Sequence, residues 1–164
     1  MALKRELNAQ LTLYMDESFP STGFGQQSLR YEAVVGIGGN VGDVRRRFRH
    51  LLVRLQREAG VRLLATGPIL KNPPFGYLEQ DDFYNSVLLL STSMQPRAFL
   101  RFLLRLEKKF GRRRSFANAP RTLDLDILFF DDRVIQKPDL IVPHPHWHKR
   151  ESVVIPLAYL GKKR

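Results

Sequence analysis

Twice along this chain a short apolar run gives way to an amphipathic stripe of helical period, and that alternation restricts the fold more than any other feature. The first run, Ala33-Val34-Val35-Gly36-Ile37, stops at Gly38-Gly39-Asn40. Val44, Phe48, Leu51, Leu52 and Leu55 then recur on one face of a 3.6-residue period. Asp43 is placed to cap this helix by accepting from unpaired N–H groups of its first turn, and Gly60 to close it in a left-handed conformation. Arginines fill the other face, most of them expected to be solvated. Residues 61–70 read as one strand, and 83–92 as another. The second stripe is Phe99, Phe102, Leu103, Leu106 and Phe110, starting near Pro96 and ended by Gly111. A basic loop over 112–120 leads to a third core strand over 123–130, a turn at Asp131-Asp132 and an edge segment, Leu140-Ile141-Val142. A last helix is expected over 151–160, kinked at Pro156.

The order is β-α-β-β-α-β with a C-terminal tail. It predicts an α+β, ferredoxin-like arrangement: a mostly antiparallel sheet with two helices packed on one face. Residues 1–30 show no sustained period beyond a short strand at Leu11-Thr12-Leu13-Tyr14. They are assigned to an N-terminal extension whose structure the sequence does not specify, and 31–164 to a single domain. At 164 residues that is one core's worth of chain.

Composition narrows the chemistry. With no cysteine, thiol nucleophiles, disulfides and Cys-ligated metals are excluded. The 27 Lys and Arg against 16 Asp and Glu leave +11, which concentrates anions at the surface and points to a phosphate-bearing partner. No apolar run approaches the ~20 residues needed to span a bilayer. A soluble, cytoplasmic protein is expected.

The richest stretch is Pro120-Arg121-Thr122-Leu123-Asp124-Leu125-Asp126-Ile127. Side chains alternate along a strand, so Leu123, Leu125 and Ile127 share one face, and Asp124 and Asp126 the other, with β-carbons roughly 7 Å apart. Two carboxylates beside a core repel and need a positive partner. A hard divalent cation shared with substrate phosphates fits that need, and so do salt bridges to nearby arginines on a solvated strand. Arg112, Arg113, Arg114 and Arg121 in the adjoining loop add the second recurring part of a phosphoryl-transfer site.

Other motifs are weaker. Gly36-Ile37-Gly38-Gly39-Asn40-Val41-Gly42 misses the third glycine of a dinucleotide fingerprint and has no Lys-Ser/Thr after it, so a tight turn is the expected role. His144, His146 and His148 sit at every second residue, but Pro143 and Pro145 break a regular strand and disfavour zinc. His144 and Arg150 are better suited to a nucleotide phosphate. Asn72-Pro73-Pro74-Phe75-Gly76 beside Phe83 and Asn85 reads either as ordinary hairpin chemistry or as a slot for a flat heterocycle, the aromatic stacking and the amide pairing with ring nitrogens. An RNA-recognition module is disfavoured, because residues 83–90 do not supply its aromatic pattern.

Assembled, these residues resemble the 6-hydroxymethyl-7,8-dihydropterin pyrophosphokinases of folate biosynthesis from about residue 34 to 160. The resemblance is carried by Gly36 to Asn40, Asn72 to Gly76, Phe83-Tyr84-Asn85, Pro120 to Asp126, and Val142-Pro143-His144 with Arg150. It implies transfer of the terminal pyrophosphoryl group of ATP to the pterin's hydroxymethyl oxygen, releasing AMP. It further implies two magnesium ions on Asp124 and Asp126, and catalytic arginines Arg112 and Arg121 in a loop that closes. ATP contacts would come from Glu107, Arg112, Arg121, His144 and Arg150. The pterin slot would be Asn72, Pro73, Phe75, Phe83, Asn85 and Phe116. Departures are Gly39 where serine is frequent, Ala117-Asn118-Ala119 where a tryptophan often precedes Pro-Arg, and Ser152 where a second stacking phenylalanine is common. The expected partners are ATP and the pterin alone, without nucleic acid or membrane, and the expected state is a monomer.

Overall fold

In the computed structural model, which describes residues 2–74, 76–111 and 119–160, the chain opens with a hairpin of β1 (Leu3–Glu6) and β2 (Thr12–Met15). Asn8 makes its turn, the side-chain oxygen accepting from the N–H groups of Gln10 and Leu11 at 2.8 and 2.9 Å. There follow β3 (Tyr31–Gly39), α1 (Val44–Gln56), β4 (Val61–Thr66), β5 (Ile69–Asn72), β6 (Phe83–Thr92), α2 (Pro96–Lys109) and β7 (Asp124–Phe130). A separate pair, β8 (Ile135–Lys137) and β9 (Leu140–Val142), a 3-10 turn at Trp147–Lys149 and α3 (Glu151–Ala158) complete the order. The fold is α+β. Its main sheet runs β1-β2-β5-β6-β3-β7, with β4 and β5 following one another along the same edge of β6, and the pairings are antiparallel.

Each face of the sheet has its own packing. Both amphipathic stripes are buried on one side, where Phe48, Leu51, Leu55, Phe99 and Leu103 meet Val35, Leu88, Leu90, Leu125 and Ile127. Asp43 caps α1 as its sequence position requires, accepting from Arg46 N–H at 3.1 Å. Gly111, at φ 90°, stands just past α2, where only glycine turns without strain. On the opposite face α3 packs across β5 and β6, with Val153 against Val87 and Leu128, and Ile155 and Tyr159 against Leu13 and Leu70. A bulge at Val34/Val35 leaves Leu128 as the extra residue of β7, so Leu128 and Phe129 both serve the α3 side and Phe130 returns to the helix side.

Three expectations are corrected, and one left open is filled in. Residues 61–70 are two strands: Gly67 and Pro68 interrupt the run, and a Cβ at Gly67 would lie 2.6 Å from the Pro156 carbonyl, so the break is the notch where α3 seats. Gly60 does not close α1. That helix stops when its apolar positions end, Arg57 capping it in the right-handed region, and the Gly60 carbonyl instead accepts from Ser93 N–H and Thr92 Oγ1. Gly36, Gly38 and Gly39 lie within β3 rather than in a turn, and the turn residue is Gly42, at φ 70°. The short strand expected at Leu11–Tyr14 is β2, and the segment left open around it is built into the fold: β2 pairs with β5, and Phe19 is fully buried in the main core.

Candidate active site

Asp124 and Asp126 open from the α3 face of β7 into one cleft, while Leu123, Leu125 and Ile127 enter the core behind them. The alternation expected from sequence holds. Their partners across the ladder are Gly38 and Gly36, so β3 offers no side chains beside the carboxylates and leaves the floor open. The cleft encloses about 70 Å³ and is closed by Asn85 and Ser86 of β6, His144, and Arg150, Ser152 and Val153 at the start of α3. That volume holds an ion and a few waters, a water occupying about 30 Å³ in the liquid. Anything larger has to lie across the mouth.

Among the described residues, Asp124, Asp126 and the nearby Glu107 are met by two arginines, Arg121 and Arg150. Burial pushes Asp126 up to about 7, with Asp124 and Glu107 adding repulsion and Arg150 and Arg121 partly offsetting it. Glu107, of α2, is 4% exposed and accepts from the Leu125 backbone N–H at 2.7 Å, so it sits behind the strand between the two aspartates. Arg121 donates to Asp124 Oδ2 at 3.0 Å. His144 is held below its ordinary pKa by burial, then by Arg150 and His146, and is therefore neutral at pH 7. Its Nδ1 accepts from the His146 N–H at 3.3 Å, which puts the ring proton on Nε2. The alternate histidines do not align on a strand, since His148 falls in the 3-10 turn. Among the described residues no set of three or more His, Asp or Glu is gathered to hold a metal by itself.

The slot residues adjoin this cleft. Asn85 Nδ2 donates to Asn72 Oδ1 at 2.7 Å, tying β6 to the end of β5, and Asn72 Nδ2 donates to the Pro73 carbonyl at 3.1 Å. Phe83, two residues before Asn85, is half-buried on the same strand face. Of the remaining sequence-derived positions, Phe75, Arg112 and Phe116 lie outside the described residues.

A family model described as 7,8-dihydro-6-hydroxymethylpterin-pyrophosphokinase matches residues 34–162. Among curated proteins the chain is 40% identical to the 2-amino-4-hydroxy-6-hydroxymethyldihydropteridine pyrophosphokinase of Campylobacter jejuni, across 87% of this chain and 90% of that one. It is 36% identical to the Helicobacter pylori protein of the same name, across 85% and 87%. A Dictyostelium discoideum protein named folic acid synthesis protein FOL1 is 32% identical over 76% of this chain and 19% of its own length. The chain belongs to the dihydropterin pyrophosphokinase family. It is an enzyme, a diphosphotransferase.

Sequence reasoning gave Gly38 and Asn40 only a place in a turn and Gln80 no part at all, yet each shapes the surroundings of the cleft. At Gly38 a Cβ would lie 2.5 Å from Asn85 Oδ1, so the slot amide occupies the space that a side chain would need. Asn40 and Gln80 are joined by a 2.8 Å hydrogen bond beside Arg121. Nor are the α1 arginines all solvated surface. The Arg45 guanidinium stacks over Tyr14 at 4.3 Å, and Arg47 donates to the Val41 and Thr122 carbonyls at 2.6 and 2.9 Å.

Proposed function

We propose that this pyrophosphokinase uses ATP and magnesium to pyrophosphorylate 6-hydroxymethyl-7,8-dihydropterin in folate biosynthesis. The hydroxymethyl oxygen bonds to the β-phosphorus, the bond from that phosphorus to the α-phosphate oxygen breaks, and AMP leaves. The observation that carries this reading is the shared cleft: two carboxylates on one strand face, with Arg121, His144 and Arg150 around them and Asn85 opening toward the slot. We also assign the core to the ferredoxin-like arrangement. The succession β3-α1-β4-β6-α2-β7 and the neighbour order β7-β3-β6-β4 support it.

The residues fit magnesium. Asp124 and Asp126 are hard oxygen donors whose repulsion the nearby arginines only partly offset, and magnesium is characteristically held by one or two carboxylates plus substrate phosphates. When bound, two such ions would neutralise phosphate oxygens and orient the triphosphate. The protein's own part is positioning and charge compensation. Arg121 spends one guanidinium donor on Asp124 and offers others to phosphate oxygens. His144, neutral with its proton on Nε2, donates without adding repulsion to Arg150. Asn85, fixed by Asn72, presents the amide that reads the pterin edge, and Phe83 offers a stacking face.

The test is AMP formation from ATP with 6-hydroxymethyl-7,8-dihydropterin and magnesium. Asp126→Ala should abolish turnover while leaving the circular dichroism spectrum and cooperative unfolding of a native fold. Magnesium-dependent AMP production retained by that variant would refute the assignment.

A further inference from the structure

Asn40 is 4% exposed, and its polar groups bind two separate loops. Its backbone N–H donates to the Arg121 carbonyl at 2.9 Å, and its Oδ1 accepts from the Arg121 N–H at 2.8 Å. Its Nδ2 donates both to Gln80 Oε1 at 2.8 Å and to the Asp81 carbonyl at 2.9 Å. A backbone carbonyl only accepts and a backbone N–H only donates, so Asp81 and Arg121 together fix which way the amide points. Neither loop forms a helix or strand where it meets Asn40. One is the segment that joins Asn72 to Phe83, two of the residues assigned above to the slot. The other carries Arg121, whose guanidinium holds Asp124.

The neighbouring residues make this approach possible. A Cβ at Gly39 would lie 2.6 Å from the Thr122 carbonyl, so glycine there admits the Arg121-Thr122 backbone against the end of β3. Arg47 holds the same Thr122 carbonyl from α1. The connection therefore runs from Asp81 and Gln80 through one amide to Arg121 and on to Asp124.

We propose that Asn40 is a positioning residue that couples filling of the heterocycle slot to placement of Arg121 at the phosphates. This rests on the function proposed above. Ordering the slot loop around a pterin fixes the Nδ2 side of the amide, and its rigid plane carries that constraint to the Arg121 backbone. Coupling of this kind is reciprocal, so each substrate tightens the other by the same factor.

The test measures affinity for a non-hydrolysable ATP analogue with magnesium, with and without the pterin, in wild type, Asn40→Asp and Gln80→Ala. Asn40→Asp still accepts from Arg121 but has no amide proton for Asp81 or Gln80. It should lose the mutual tightening and roughly tenfold in kcat, while its affinity for the analogue alone stays within about twofold. Gln80→Ala removes one acceptor from a loop rather than from the core and should move the coupling the same way by roughly two- to threefold. A folded Asn40→Asp protein with wild-type coupling overturns the proposal, as does equal weakening of both substrates with the coupling intact, which is what a merely structural role produces. If Asn40→Asp fails to fold, wild-type coupling in Gln80→Ala overturns it. A wild-type protein that releases no AMP from ATP and the pterin instead overturns the functional reading beneath it.

Discussion

Gly38 controls the slot through the side chain it lacks. Asn85 Oδ1 occupies the position beside a would-be Cβ, and its Nδ2 is committed to Asn72. Gly38→Ala should therefore displace the Asn85 amide and break the bond that aligns it. The expected result is a pterin KM raised by roughly tenfold or more, with the ATP KM within about twofold. Steady-state kinetics with each substrate varied in turn checks it, and equal losses for both would show a general distortion of β3. Residue by residue, the legible part of the site was the part that announces itself locally. Asp124 and Asp126 follow from a period of two in a single strand. Asn40 does not, because the groups it binds lie 40 and 81 positions away and no local pattern names them. Gly38 was visible only as an interruption in an apolar run, and the reason for it sits on another strand.

Among the elements, the two helices were readable because an amphipathic stripe is a local signal, and their buried positions are those the period selects. The sheet edge was not. β4 buries Val61 and Leu63 toward the helices, while β5 buries Ile69 toward them and Leu70 toward α3, so apolar residues stand on both sides of Gly67-Pro68 and the break reads as part of one run. Of the first hairpin only β2 was legible, as the run Leu11–Tyr14; β1 is short and wholly exposed and carries no pattern. Yet β2 does structural work for the site. Leu13 is fully buried with Leu11 and Leu70, against Ile155 and Tyr159 of α3, the helix whose first turns carry Ser152 and Val153 into the cleft. Leu13→Ala should cost about 2–5 kcal/mol of stability. At roughly 2–4 °C per kcal/mol for a chain of this size, the loss is visible in a thermal scan. An unchanged melting temperature would mean the hairpin is dispensable to the fold.

At the scale of the whole molecule, a protein of net charge +11 nonetheless sets two carboxylates, Asp124 and Asp126, in one cleft with a third, Glu107, buried close enough to repel Asp126. The site is thus built against the stability of the empty protein. Asp126 carries a pKa of about 7 in the fold against 3.8 in its ordinary state, so between those values the folded chain binds more protons than the unfolded one. Stability from this group is fully present below about pH 3.8 and is lost as pH rises through about 7. The ceiling on that loss is about 4 kcal/mol, from the size of the shift at 1.36 kcal/mol per unit. Asp126→Asn removes the titration, so in denaturant unfolding the variant should be more stable than wild type at pH 8, with the gap closing toward pH 4. Magnesium with an ATP analogue should raise wild-type stability at pH 8 and do much less for the variant, since a ligand stabilises only the state that binds it. If the two proteins show parallel pH curves, Asp126 is not the group that sets the slope. If the variant gains as much as wild type from magnesium and nucleotide, the carboxylate pair is not where they bind.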